Sequence, residues 1–182
     1  MRIIAGKHRG RKIESPEGRR VRPTTDMVRG SIFNMLSNIV DLEGVAVLDV
    51  CCGTGAFGLE ALSRGAEFAG FIDSHRESLK FAETNITAMK EKENTTVFAA
   101  TIEKLPRADR QYNIVFVDPP YNTGLIDVAV PLLIKHGWVH PNALLILEMG
   151  ERENIKSCGE LLDIYRERLY GTTKVIFATL KK

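Results

Sequence analysis

The run VFVDPPYNTG, Val115 to Gly124, sets an aspartate, two prolines and a tyrosine directly after residues apolar enough to be buried. Such a set could activate an amine. An exocyclic amine on a base is a poor nucleophile, because its lone pair is delocalised into the ring. The Asp118 carboxylate and the Pro119 carbonyl can accept the two amine hydrogens, favouring a pyramidal nitrogen with its lone pair free to attack. That help grows as positive charge develops on nitrogen in the transition state. Pro119 and Pro120 lack N–H donors and restrict φ, so they hold a rigid turn whose carbonyls remain available as acceptors. Tyr121 offers a flat face to a purine taken out of its stack, a contact worth roughly 1–3 kcal/mol per base.

A second chemical signal is LDVCCGTGAFGLEAL, in which Gly53, Gly55 and Gly58 spell GxGxxG between a strand and a helix. Glycines there let the backbone approach a ligand, and both nicotinamide dinucleotides and S-adenosylmethionine exploit that. Asp49 discriminates between them. A carboxylate four residues before Gly53 is unfavourable beside pyrophosphate and compatible with the sulfonium and ammonium of S-adenosylmethionine. Asp73 closes the next strand, where an acid can accept both ribose hydroxyls. Ala100, Thr101 and Ile102 would line the adenine through backbone groups or packing. Cys51, Thr54 and Ser74 flank these positions and, with Asp118, complete the candidate cofactor contacts.

These residues need elements to position them. VAVLDV (45–50), EFAGFID (67–73), TTVFAA (95–100), NIVFVD (113–118) and ALLILEM (143–149) predict strands. Helices are predicted at 56–64, 75–90, 102–108 and 124–136. Strands apolar on both faces that alternate with helices imply parallel pairing through right-handed crossovers. The end of the chain, LLDIYRERLYGTTKVIFATLK, offers two extended runs about Gly171 and Thr172 and predicts an antiparallel hairpin. VRPTTDMVRGSIFNMLSNIV reads as a helix capped by Thr24 or Thr25, with Val28, Ile32, Met35, Leu36 and Ile39 on one face. RIIAG and GRKIES read as two short strands around KHRG.

Charge is uneven along the 182 residues. Residues 1–30 hold nine Lys or Arg against three acids, a balance of +6, so the rest of a chain of net +2 carries −4. Clustered cations are the footprint of a polyanion, since each neutralised phosphate releases counterions. Arg9, Arg11, Lys12, Arg19, Arg20 and Arg22 are the candidate phosphate contacts. No apolar stretch approaches the roughly 18–20 residues needed to span a bilayer, and the N-terminus lacks a signal-peptide core, so a cytoplasmic protein is expected. Three cysteines, two adjacent, suit a reducing compartment, and His8, His75, His136, His140 and Cys158 form no metal-ligand pattern.

With Asp49, Gly53, Gly55, Asp73 and DPPY at strand ends, the chain resembles class I S-adenosylmethionine-dependent methyltransferases. MRIIAGKHRGRKI, VRPTTDMVRGSIFNML, GTGAFGLEALSRGA and DPPY together resemble the bacterial 16S ribosomal RNA guanine-N2 methyltransferase family, RsmD type, across nearly the whole chain. DPPY alone is shared with amino-methyltransferases acting on DNA, RNA and protein. Ala100 departs from the family, which usually carries an aspartate there. The resemblance implies a doubly wound, mostly parallel seven-stranded α/β sheet with an antiparallel C-terminal hairpin. It implies a basic RNA-binding extension over residues 1–40 and a methyltransferase domain over 41–182. It also brings Arg22, Thr24, Thr25 and Asp26 near the pocket. The expected activity is methyl transfer to guanine N2 in small-subunit ribosomal RNA, free or partly assembled. Adenine N6 in DNA, a glutamine amide, a nicotinamide-dependent dehydrogenase and a non-catalytic RNA-binding assembly factor stay as alternatives.

Overall fold

The computed structural model describes residues 1–16 and 23–182, with side chains for 1–16 and 26–182. Seven strands form one sheet: β1 (Ala46–Val50), β2 (Phe68–Asp73), β3 (Thr95–Ala99), β4 (Tyr112–Val117), β5 (Val139–Gly150), β6 (Leu162–Tyr170) and β7 (Thr173–Leu180). Their order is β3-β2-β1-β4-β5-β7-β6. The first five pair in parallel, while β7 is antiparallel to β5 and β6, as the apolar runs and the terminal hairpin predict. Strand order reverses between β1 and β4, and the crevice at such a switch point is where open α/β sheets bind ligands.

Alternation along the strands divides the core. Val47, Ile114, Phe116, Leu144 and Ile146 join one apolar cluster. It is completed by α1 (Pro23–Leu36), α2 (Ala56–Ser63) and α3 (Arg76–Met89). Leu48, Val50, Val115, Val117, Leu145 and Leu147 face the opposite cluster, covered by α4 (Leu125–Lys135) and by Ile102, Leu105 and Trp138. Burying a Val, Leu, Ile or Phe side chain is worth about 1.5–3 kcal/mol, so parity along each strand sets which face a polar residue can occupy.

Three expectations are corrected. The helix predicted at 102–108 is a three-residue 3-10 turn, Ile102–Lys104, because Pro106 removes an N–H and holds Leu105 extended. The N-terminal strands reduce to one bridge, Arg2 with Lys12, supported by Ile3 N–H to Arg11 O at 3.0 Å and Ile13 N–H to Met1 O at 3.0 Å. The first helix starts at Pro23, the favoured first helical residue, so Thr24 and Thr25 fall in its first turn rather than capping it.

The N-terminal segment is docked on the rest of the chain. Ile3 and Ile13 are buried in the same cluster as α2. Glu60 of α2, fully buried, accepts from the amides of Ile4 at 2.8 Å and Ala5 at 3.1 Å. The same carboxylate pairs with Arg64 at 2.7 Å and Arg29 at 3.7 Å. Gly6 lies so close that a Cβ there would sit 1.7 Å from the Ser63 carbonyl oxygen. Asn85 of α3 accepts from Glu14 N–H at 2.8 Å and donates to Glu14 O and to Thr54 O in the glycine turn, each at 3.0 Å. Among the described residues, no helix is long and apolar enough to cross a membrane.

Candidate active site

The C-terminal ends of β1, β2, β4 and β5 open onto a cleft of about 1280 Å³. On the β1–β2 side its wall is Cys51, Gly53, Asp73 and Ser74, continued by His75, Arg76, Glu77 and Ser78 at the start of α3. On the β4–β5 side it is Asp118, Pro119, Pro120 and Tyr121, with Thr123, Leu125, Glu148 and Thr173. Pro16 and Val28 bring the N-terminal segment to the rim.

The glycine turn is shaped as the sequence predicts. Cys51, Gly53 and Gly55 all have positive φ, and for Cys51 at 61° this is a strained backbone held by its surroundings. A Cβ at Gly53 would meet no protein atom within 4 Å, leaving the backbone open to the cleft. At Gly58 it would strike the Phe71 ring at 2.4 Å, so this glycine serves helix–strand packing. Asp73 braces the turn by accepting from Gly53 N–H at 2.9 Å and His75 N–H at 2.8 Å, combining the role of turn clamp with a place in the wall.

Asp49 does not line the cleft. Sharing the parity of Val47, it points beneath α2, is 1% exposed and accepts from Gly58 N–H at 2.9 Å. Burial pushes its carboxyl up to about 7, opposed by the Gly58 hydrogen bond and raised further by Asp73. Thr54, Gly55, Thr101 and Ile102 also lie outside the wall: Ile102 is buried and Thr101 exposed. Burial, then Asp73, Asp118 and Asp49, pushes the Cys51 thiol up to about 12, so it stays protonated and contributes packing rather than a nucleophile.

DPPY is held from both ends. Asp118 N–H donates to Val50 O at 3.2 Å, prolonging the β1–β4 pairing by one residue. Burial, then Glu148 and Asp49, pushes the Asp118 carboxyl well above the ordinary range. The Tyr121 hydroxyl donates to Glu148 Oε1 at 3.1 Å and lies 2.8 Å from Thr173 Oγ1, which anchors the ring at the cleft wall. Glu153 accepts from Asn122 N–H at 2.8 Å and Gly150 N–H at 2.7 Å, tying the turn to the end of β5. Glu148 and Thr173 were missed in the sequence. Glu148 is an acid near the C-terminal end of an apolar strand, a weaker form of the signal at Asp73 and Asp118, whereas Thr173 has none.

Of the cationic candidates, Arg9, Arg11 and Lys12 are exposed, and Arg11 donates to Ala88 O at 3.1 Å. Arg29 is not an RNA contact, since it is fully buried between Glu60 and Asp26. Arg19, Arg20 and Arg22, and the side chains of Thr24 and Thr25, lie outside the described residues. Among the described residues no group of three His, Cys, Asp or Glu could hold a metal ion.

The family model described as Conserved hypothetical protein 95 matches residues 1–179. The chain belongs to this family. Within it, Ribosomal RNA small subunit methyltransferase D of Escherichia coli K12 is 36% identical over 172 residues, covering 94% of this chain and 85% of that one. The protein of the same name from Haemophilus influenzae is 32% identical over 152 residues, covering 81% of this chain and 78% of that one. The solved structure of Escherichia coli yhhF superposes with a TM-score of 0.86 at 33% identity, covering 100% of this chain and 98% of that one. The ribosomal protein L11 methylase of Lactobacillus delbrueckii subsp. bulgaricus, at 16% identity, TM-score 0.70 and coverage of 84% and 77%, shares the fold. This member of the Conserved hypothetical protein 95 family is a methyltransferase on the class I fold.

Proposed function

We propose that the chain transfers a methyl group from S-adenosylmethionine to the exocyclic N2 amine of a guanine in small-subunit ribosomal RNA. The observation that carries this is the pairing of two strand ends across one cleft: the Gly53 turn with Asp73 on one side, Asp118 and Pro119 on the other. The relatives' names, Ribosomal RNA small subunit methyltransferase D, supply the substrate class. S-adenosylmethionine supplies an electrophilic methyl on a sulfonium. The residues present fit it: Gly53 presents backbone with no side chain in the way, Asp73 offers a carboxylate at the strand end, and Cys51 and Ser74 lie beside them.

The target base rests against Tyr121 with its amine at Asp118 and the Pro119 carbonyl. Both acceptors take amine hydrogens, leaving the nitrogen lone pair to attack the methyl carbon as the carbon–sulfur bond breaks. Asp118 stabilises the charge that develops on nitrogen, and its carboxylate takes the surplus proton after transfer and passes it to solvent. Phosphate contacts come from Arg9, Arg11 and Lys12, with Arg19, Arg20, Arg22, Thr24 and Thr25 of the same arm.

The test is incubation with methyl-labelled cofactor and ribosomal RNA or partly assembled small subunits, followed by digestion and nucleoside analysis. Label in N2-methylguanosine is expected, at a position then mapped in the RNA. Label absent from guanine, or present with Asp118→Ala at the wild-type rate, overturns the reading.

A further inference from the structure

A wall that recognises an amine need not recognise guanine. Adenine, cytosine and guanine all carry exocyclic amines, and Asp118 with the Pro119 carbonyl can serve any of them. They differ in the neighbouring ring atom. Guanine has N1–H, a donor beside its N2 amine, whereas adenine N1 and cytosine N3 are lone pairs beside theirs. An enzyme that extrudes its base reads this edge directly.

The sheet places a second carboxylate beside Asp118 in the same cleft. Val117 of β4 is level with Leu147 of β5, so Asp118 and Glu148 follow at the same level on adjacent parallel strands. Such strands lie about 4.8 Å apart. Asp118 continues the parity of Ile114 and Phe116, and Glu148 that of Leu144 and Ile146, so both project to the same side of the sheet. Both line the cleft. Glu148 is positioned from the side by the Tyr121 hydroxyl, the residue on which the base would rest.

We infer that Glu148 is the specificity-determining residue of the site, accepting the guanine N1–H while Asp118 and Pro119 accept the N2 amine. Two adjacent carboxylates then face two adjacent donors. Adenine or cytosine in the same pose sets a ring lone pair against the Glu148 carboxylate, and that repulsion rejects the base. The inference rests on the guanine reading above.

The probe is RNA carrying, at the mapped position, either guanine or 2-aminopurine, which keeps the N2 amine, replaces N1–H by a lone pair and lacks O6, so that the change in preference on substituting Glu148 isolates the N1 contact. Wild-type protein is expected to methylate the 2-aminopurine RNA with kcat/KM reduced roughly 10- to 100-fold, the range of a lost charge-assisted hydrogen bond. Glu148→Gln retains an acceptor for Tyr121 and adds an amide donor, so its preference for guanine over 2-aminopurine should shrink to within a few-fold. Equal wild-type rates on the two RNAs overturn the inference without touching guanine methylation, and need no variant to fold. An undiminished preference in folded Glu148→Gln also overturns it. Failure to methylate guanine at all counts against the functional reading instead.

Discussion

In the proposed role Asp118 stabilises positive charge on nitrogen only when ionised, yet burial, then Glu148 and Asp49, keeps its carboxyl protonated well above the ordinary range. The methylation rate should therefore rise with pH along a limb above the usual carboxylate titration. Glu148→Gln should move that limb to lower pH, and pH–rate profiles measured under saturating cofactor check this. Asp118→Asn should cost roughly 10²- to 10³-fold in kcat measured at saturating cofactor, the scale of one lost charge-stabilising group. Asp49 affects stability instead. Its pKa rises from an ordinary 3.8 to about 7 on folding, so the folded state binds this proton more tightly. Its stabilising contribution is full below about pH 4 and is lost as pH rises to about 7. Asp49→Asn should flatten that part of the melting-temperature profile of the cofactor-free protein. These acids also mark what a sequence discloses. Asp73 and Asp118 were legible because each closes an apolar run. Asp49 sits one residue before the end of β1, where pleat parity turns it under α2 instead of into the cleft. Glu148 escaped because it lies inside β5, followed by the buried Met149, instead of at the end of the apolar run.

Elements hold these residues in register, and two joints between elements are testable. Gly58 lets α2 lie against β2. Gly58→Ala should destabilise by about 1–3 kcal/mol, the usual cost of overpacking, and Phe71→Leu should relieve part of that cost in the double variant, read by denaturant unfolding. At the sheet edge, β6 exposes Ile164, Tyr165 and Leu169. A two-fold antiparallel pairing of this strand with its copy must set one residue opposite itself. Centred on Arg166 it opposes like charges, and centred on Glu167 it opposes Arg166 to Arg168 as well. With the irregularity between Ile164 and Arg166, these charges blunt the edge. Arg166→Val with Arg168→Val should promote self-association, visible in light scattering. The strands, α2, α3, α4 and the hairpin were legible from apolar periodicity. The short turn at Ile102–Lys104 was not, because three residues are too few to show a period.

For the molecule as a whole, affinity for RNA should be electrostatic. Replacing Arg9, Arg11 or Lys12 by Ala should weaken binding for all sequences alike, each lowering the slope of log affinity against log salt by about 1. The +6 charge of residues 1–30 overstated this surface, since Arg29 is spent inside the fold and Lys7 pairs with Glu91 at 2.7 Å. Composition counts a cation without knowing which side of the boundary it occupies. The docking of that segment also bears on the order in which the chain acquires its structure. Its fastenings span long stretches of chain: Ile4 to Glu60 is 56 residues, Glu14 to Asn85 is 71 and His8 to Glu91 is 83. Contacts so distant in sequence form only after the intervening chain has folded, because closing the loop costs entropy before the contact repays it. The segment precedes in the chain the elements it docks on and is thus secured late, so its fastenings are expected to open before the central strands do. In native-state hydrogen exchange, the amides of Ile4, Ala5 and Glu14 should open at lower free energy than those of β1 and β4.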